Sequence, residues 1–321
     1  KYQYKTIPIV TSHFKSSFLF RNGFIATVYS GLIRRLKINQ FRERITLRDD
    51  DFIDLDWSYG EKPSKSVVIL LHGMEGHGQR PYITGPALLF NKNNIDAICV
   101  NFRCCSGELN LNYSSYHLGM SEDLDDVVKH VISLDKYDSI FIKGISLGAN
   151  MLLKYFGEGN DIPSQVKGGM AVSAPCDLSG SAKALHEVRN LPYQINFLWG
   201  LLKRLKLKQK QYPDLITKSQ VRSIFTLNDF DEVYTSRAHG FKNAQDYYKK
   251  ASSLQFLKTI KTPVLVLNAL NDSFLSKDCF PYKEAKENPY LHLETPSKGG
   301  HVGFIRLNDF YYNEKRALEF F

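Results

Sequence analysis

Apolar positions fall in two rhythms along this chain. Short, near-continuous apolar runs recur at Ser66–Gly73 (SVVILLHG), Ile95–Phe102 (IDAICVNF), Ser139–Gly144 (SIFIKG), Val166–Pro175 (VKGGMAVSAP), Thr262–Ala269 (TPVLVLNA) and Tyr290–Thr295 (YLHLET). Runs of this length without alternation predict strands buried on both faces. Upstream, Arg42–Trp57 alternates apolar and polar residues and breaks at Asp49–Asp51, which predicts an antiparallel hairpin. Helical spacing fills the gaps. Residues 86–91 lie in one helix, and Glu122–Leu134 forms a second with Leu124, Val127, Val128, Val131 and Ile132 on one face. A third helix follows Ser146, and Phe310–Phe321 makes a last one. Strands alternating with helices predict a mostly parallel sheet covered on both faces, within a single domain over residues 1–321.

Two stretches leave this alternation. Residues 14–38 read as an N-terminal helical segment. Its apolar-leaning run, Gly23–Ile33, is too short to span a bilayer and is followed by Arg34–Arg35. It predicts an amphipathic helix that packs on the body or lies in a membrane interface. Residues 177–257 lack buried-strand runs and predict helices and loops. Inserted over the C-terminal edge of the sheet, they would form a cap, because open α/β sheets keep their sites at that edge. Within it, Leu198, Leu201, Leu202 and Leu205 have helical spacing, and five of the eight residues 203–210 are basic. The reading preferred here is a helix packed by its leucines and solvated by its lysines; membrane contact through this or the N-terminal helix, or guidance of acidic acyl substrates by this one, is the alternative.

Composition narrows the picture only a little. With 43% hydrophobic and 23% charged residues, the 321-residue chain can bury a sizeable core. The formal charge of +9 suits an anionic partner or simply solubility. No zinc-finger spacing or RNA-binding signature accompanies it, so nucleic-acid binding is not expected. The five cysteines form no C-x-x-C pair and predict a reduced chain, cytoplasmic or peripheral to a membrane, with cysteines as small packing residues. No secretory signal is visible, and Lys1 is not a methionine, which allows for residues before it.

The candidate chemistry starts at Ser146, in KGISLGANMLLKY. A G-x-S-x-G match arises by chance in about a tenth of chains this long. Here a buried strand precedes it and a helix-competent stretch follows, which is the context a nucleophile elbow requires. The serine needs a base. His301, in the glycine-rich loop SKGGHVGF after the last strand, is the candidate; His130, His186, His239 and His292 read as surface or packing residues. Asp272, just past the strand Thr262–Ala269, would orient the histidine, with Asp278 as alternative. Oxyanion donors are expected at the Leu147 N–H and in the loop LLHGMEGHG, where Met74 is the choice. His72 would shape that loop, while Glu75 and an exposed His77 would line the pocket. Asp123, Asp125 and Asp126 suit a helix start rather than a metal site. No metal or organic cofactor is expected.

The chain resembles the α/β-hydrolase superfamily, and within it the YheT-like esterases and their eukaryotic lipase relatives. HGMEG followed by PYI, NFRCCSGELN, GISLGAN, VSAPCDL, HGFKNAQDYYKKASS and GGHVGF carry the resemblance, which runs from about residue 20 to the end. It implies Ser146 as nucleophile, Asp272 as acid and His301 as base in hydrolysis of carboxylic esters. Two positions depart from the family pattern. Ser273 stands where proline is usual, and Cys104 where glycine is usual, which would strain a left-handed backbone. The expectation is an α/β-hydrolase fold with a helical cap, acting on a small-molecule ester through an acyl-enzyme. Acyl transfer by the same triad, or ligand binding without turnover, are the alternatives.

Overall fold

Residues 8–307 and 309–321 are described by a computed structural model, those at 32 and 33 through their backbone alone. The first seven residues of the expected domain lie outside the described residues. The strands are β1 (Ile9–Val10), β2 (Phe41–Thr46), β3 (Phe52–Ser58), β4 (Ser66–Leu71), β5 (Asp96–Asn101), β6 (Ser139–Ile145), β7 (Val166–Val172), β8 (Val264–Leu267) and β9 (Leu291–Glu294). They form one sheet in the order β1-β9-β8-β7-β6-β4-β5-β3-β2. All pairs from β1 to β5 are parallel; β3 runs antiparallel to β5 and β2 antiparallel to β3. The six apolar runs are thus the inner strands, and Arg42–Trp57 is the hairpin at one edge. β1 has only two residues, too few to show a period.

The helices follow the same logic. They are α1 (Gly23–Val28), α2 (Pro81–Lys92), α3 (Ser121–Ser133), α4 (Leu147–Gly157), α5 (Leu178–Leu185), α6 (Leu191–Gln211), α7 (Lys218–Arg222), α8 (Leu227–Phe230), α9 (Ser236–Ala238), α10 (Ala244–Ala251), α11 (Tyr282–Glu287) and α12 (Tyr312–Phe320). α2 begins five residues before the predicted stretch because Pro81 sits at its first turn, where its missing N–H costs nothing. The pleat divides the core. Val67, Ile69 and Leu71 of β4 face one layer with α3 and α4, while Val68 and Leu70 face the other with α2 and α12. Between β7 and β8 the described chain is helical, α5 to α10, with its own small core of Leu205, Ile216, Val221, Ile224, Phe230 and Tyr234.

α6 departs from the expected pattern of buried leucines and solvated basic residues. Leu205 is buried, and Leu198, Leu201 and Leu202 pack against the same cluster. Yet two of the five basic residues also point inward. Lys208 is 1% exposed, and its Nζ donates to the carbonyls of Asn110 and Asn112. Arg204 pairs with Glu75. Both have acceptors fixed by distant loops, which helical spacing alone does not reveal.

Candidate active site

Ser146 ends the turn between β6 and α4, with φ 54° and ψ −113°. A non-glycine residue held there stores about 1–3 kcal/mol. The flanking glycines make the turn possible. A Cβ at position 144 would lie 2.3 Å from the Gly148 carbonyl oxygen, and one at 148 would lie 2.7 Å from both Cβ and O of Leu71. The Ser146 N–H donates to the Val172 carbonyl at 2.9 Å, which ties the turn to β7.

His301 is held on several sides. Its N–H donates to Thr27 Oγ1 at 2.9 Å, and the next N–H, of Val302, donates to Ser173 Oγ at 2.9 Å. Phe274 stacks on the imidazole, with centroids 4.2 Å apart and an interplanar angle of 26°. Gly300, at φ 59°, lets the loop pass Gly23: a Cβ there would lie 2.4 Å from the Gly23 carbonyl oxygen. His301 Nδ1 lies 2.8 Å from Asp272 Oδ2, and Nε2 lies 2.9 Å from Ser146 Oγ. The other Asp272 oxygen, Oδ1, accepts the Phe274 N–H at 3.0 Å. The three candidate residues therefore meet. Asp278, the alternative acid, is exposed on the turn Lys277–Cys279.

The loop after β4 abuts the serine: a Cβ at Gly73 would lie 3.2 Å from Ser146 Cβ. Among the described residues, no acceptor takes the backbone N–H of Met74 or of Leu147. His72 shapes this loop as expected. Its Nδ1 contacts the Gly73 carbonyl at 2.7 Å, and Nε2 accepts the Phe102 N–H at 3.2 Å. Burial pulls its pKa down to about 3, so it stays neutral.

Glu75 and His77, expected at the pocket, turn elsewhere: neither lines the cavities at Ser146. Glu75 accepts the Tyr116 hydroxyl at 2.9 Å and pairs with Arg204, so it ties the loop to α6. Gly200 makes room for it, since a Cβ there would lie 1.9 Å from Glu75 Oε2. His77 is half-buried rather than exposed, and its Nδ1 accepts the Gln79 N–H at 3.3 Å. Asp123 pairs with the buried Arg103 at 2.7 Å, while Asp125 and Asp126 pair with Arg48. Cys104 does take the left-handed conformation, with φ 63°, and its N–H donates to Asn110 Oδ1. The five cysteines are free, four of them buried.

Two apolar lobes meet at Ser146, Met74, Phe197, Phe274 and His301. The first, about 60 Å³, lies under α5, α8 and α10 and is walled by Leu147, Pro175, Leu178, Leu185, Leu227 and Tyr248. The second, about 150 Å³, runs between the N-terminal helix and α6, past Thr27, Gly31, Tyr82, Tyr193 and Asn196. Sequence reasoning missed Phe274, Phe197 and Thr27. Phe274 follows Asp272 by two residues; for the other two no local signal exists. His186, read as a surface or packing residue, lines the first lobe. Asp231 also lines it and accepts the hydroxyls of Thr235 at 2.7 Å and Tyr248 at 2.8 Å. Burial raises its carboxyl to about 6.

The family described as "Serine aminopeptidase, S33" matches residues 62–280. "Putative esterase YheT" of Escherichia coli (strain K12) is 33% identical over 295 residues, 89% of this chain and 85% of that protein. "Phospholipase ABHD3" of Mus musculus is 29% identical over 276 residues, 83% of this chain and 67% of that protein. Among solved structures, the Pyrococcus furiosus esterase Pf2001 has a TM-score of 0.58 at 16% identity, covering 90% of this chain and 96% of that one, a likeness of fold. The parallel sheet, the elbow after its central strand and these matches lead to one assignment: the chain belongs to the α/β-hydrolases of esterase and lipase type, in their YheT-like branch.

Proposed function

We propose that this chain hydrolyses carboxylic esters through Ser146, His301 and Asp272 and an acyl-enzyme. The observation that carries the reading is the continuous path from Asp272 Oδ2 to His301 Nδ1, 2.8 Å, and from His301 Nε2 to Ser146 Oγ, 2.9 Å. His301 Nε2 takes the hydroxyl proton as Oγ attacks the ester carbonyl. The buried Asp272 carboxylate keeps Nδ1 protonated and stabilises the imidazolium. The carbonyl oxygen becomes an anion, which the unclaimed N–H groups of Leu147 and Met74 hold, aided by the start of α4. Collapse expels the alcohol, which takes the proton from His301. Water then gives a proton to His301 and attacks the acyl carbonyl; collapse breaks the bond to Oγ, which takes that proton back from His301 as the acid leaves.

The helices between β7 and β8 act as a cap in this reading. The more enclosed lobe beneath them holds the acyl group, which stays covalently attached through both halves of the cycle. The roomier lobe beside the N-terminal helix holds the alcohol, which must leave first. Both lobes are apolar, which supports an uncharged or weakly polar ester.

A paired experiment tests this. Wild type and Ser146→Ala are treated with a fluorophosphonate probe and a chain-length series of aryl esters. Wild type should label and turn over, and the variant should do neither. Labelling that survives the substitution removes Ser146 as nucleophile. Negligible turnover by wild type would indicate a binding protein, and new esters formed on adding an alcohol would indicate acyl transfer.

A further inference from the structure

The N-terminal helix and α6 frame the mouth of the second lobe, and both turn apolar side chains outward. Leu191, Ile195 and Trp199 follow one another at four-residue steps on the exposed face of α6. Phe18, Phe24 and Ile25 are exposed on the neighbouring segment. The two elements touch: the Phe24 and Tyr193 rings lie 5.3 Å apart, and the Tyr193 hydroxyl donates to the Phe24 carbonyl. Isolated exposed apolar residues are ordinary, but two exposed apolar groups on adjoining elements beside an apolar cavity mark an interaction surface.

Charge says what this surface meets. The exposed face of α6 continues past Trp199 into Lys203, Lys206 and Lys210, and Lys203 sits over the Trp199 ring at 5.6 Å. No acidic residue occurs in Leu191–Gln211, and none in residues 8–42. The nearest acid before α6, Glu187, is paired with Arg189 at 2.8 Å. Apolar side chains backed by basic ones with no acid among them complement a layer of apolar chains beneath anionic headgroups. No described helix is long and apolar enough to cross a membrane, so contact of this kind lies on the surface. We infer that the α1–α6 face docks this protein on an anionic lipid bilayer and opens the second lobe toward it, so that ester substrates enter from the lipid phase. The entry of substrate rests on the hydrolase reading above; the docking does not.

Trp199 is a built-in reporter, because it is 68% exposed while the other tryptophan, Trp57, is 3% exposed. Phosphatidylglycerol-containing vesicles at low salt should sediment the protein and shift its fluorescence to the blue. Pure phosphatidylcholine vesicles, or high salt, should weaken both effects. Ile195→Ser combined with Trp199→Ser should lower sedimentation roughly tenfold or more. Hydrolysis of a soluble short-chain ester should not change, since neither side chain lines a lobe. Ser146→Ala should bind vesicles like wild type, which separates a failure of docking from a failure of the catalytic reading. No binding to anionic vesicles at low salt overturns the inference. So does binding that the double substitution leaves intact, or a solution dimer that the double substitution dissociates, since the face would then be covered by a second copy.

Discussion

Replacing Asp272 by asparagine tests the geometry more sharply than deleting it. The two carboxylate oxygens do different work: Oδ2 accepts from His301 Nδ1 and Oδ1 accepts the Phe274 N–H. An asparagine has one oxygen and one NH₂ group to fill both places. If the oxygen keeps the Phe274 N–H, the NH₂ faces Nδ1 and makes it an acceptor. The imidazole proton then sits on Nε2, which can no longer take the Ser146 proton. If the amide flips, two donors face each other in a buried place, at a cost of about 1–3 kcal/mol. The first arrangement fixes the wrong tautomer; the second restores the right one only at that cost, and neither supplies the negative charge that stabilises the imidazolium. The expected loss in kcat is about 10,000-fold, equivalent to about 5.5 kcal/mol of barrier at 1.36 kcal/mol per tenfold. Steady-state hydrolysis of an aryl ester, with thermal unfolding as the control for folding, measures it. A loss below about tenfold in a folded Asp272→Asn protein, with a larger loss in Asp278→Asn, would refute the reasoning and move the acid to position 278.

Three further outcomes follow from the same structure. Lys143 is fully buried just before the elbow, where its Nζ donates to Asn313 Oδ1 at 2.7 Å, and burial lowers its pKa from 10.5 to about 7. Between those values the unfolded chain holds a proton that the folded one does not, so this group's contribution to stability rises with pH by about 1.4 kcal/mol per unit. In urea unfolding from pH 7 to 9, the stability of Lys143→Met relative to wild type should therefore fall by that slope; a flat difference would show that Lys143 stays charged. Gly144→Ala drives a Cβ to 2.3 Å from the Gly148 carbonyl oxygen, so it should cost about 3 kcal/mol, the upper range for overpacking, and remove activity; a wild-type unfolding midpoint would contradict the elbow packing. A Cβ at position 31 would meet nothing within 4 Å, and Gly31 lines the second lobe, so Gly31→Leu should keep the fold. It should lower kcat/KM for bulky-alcohol esters by about tenfold without changing acyl preference, and a changed acyl preference would reverse the assignment of the lobes.

Much of the architecture is legible in the order of residues. The inner strands are buried on both faces, so they appear as continuous apolar runs. The edge hairpin alternates because its polar face carries Asp54 and Asp56, which Arg42 and Arg44 of the outer strand cover. The elbow has a local cause, because the crossing of strand and helix excludes side chains at 144 and 148. Asp272 and His301 could be proposed because each follows a strand of a parallel sheet, and such a sheet gathers all its strand ends on one edge.

The rest depends on residues far apart in the chain. His301 is fixed by Thr27, Ser173 and Phe274, from three separate elements, and no spacing announces that. Glu75 looks like a pocket residue because it follows Met74, yet Arg204 lies 129 positions away and draws it into an ion pair. Lys208 looks solvated because lysines on helices usually are, but two loop carbonyls take its ammonium group. The order of the inner strands and the chemistry standing at their ends can be read along the chain, because backbone periodicity and glycine sterics act over a few residues. How the two lobes divide at Ser146 is set by folding, because cavity walls and buried charge pairs are closed by segments that meet only when the chain folds.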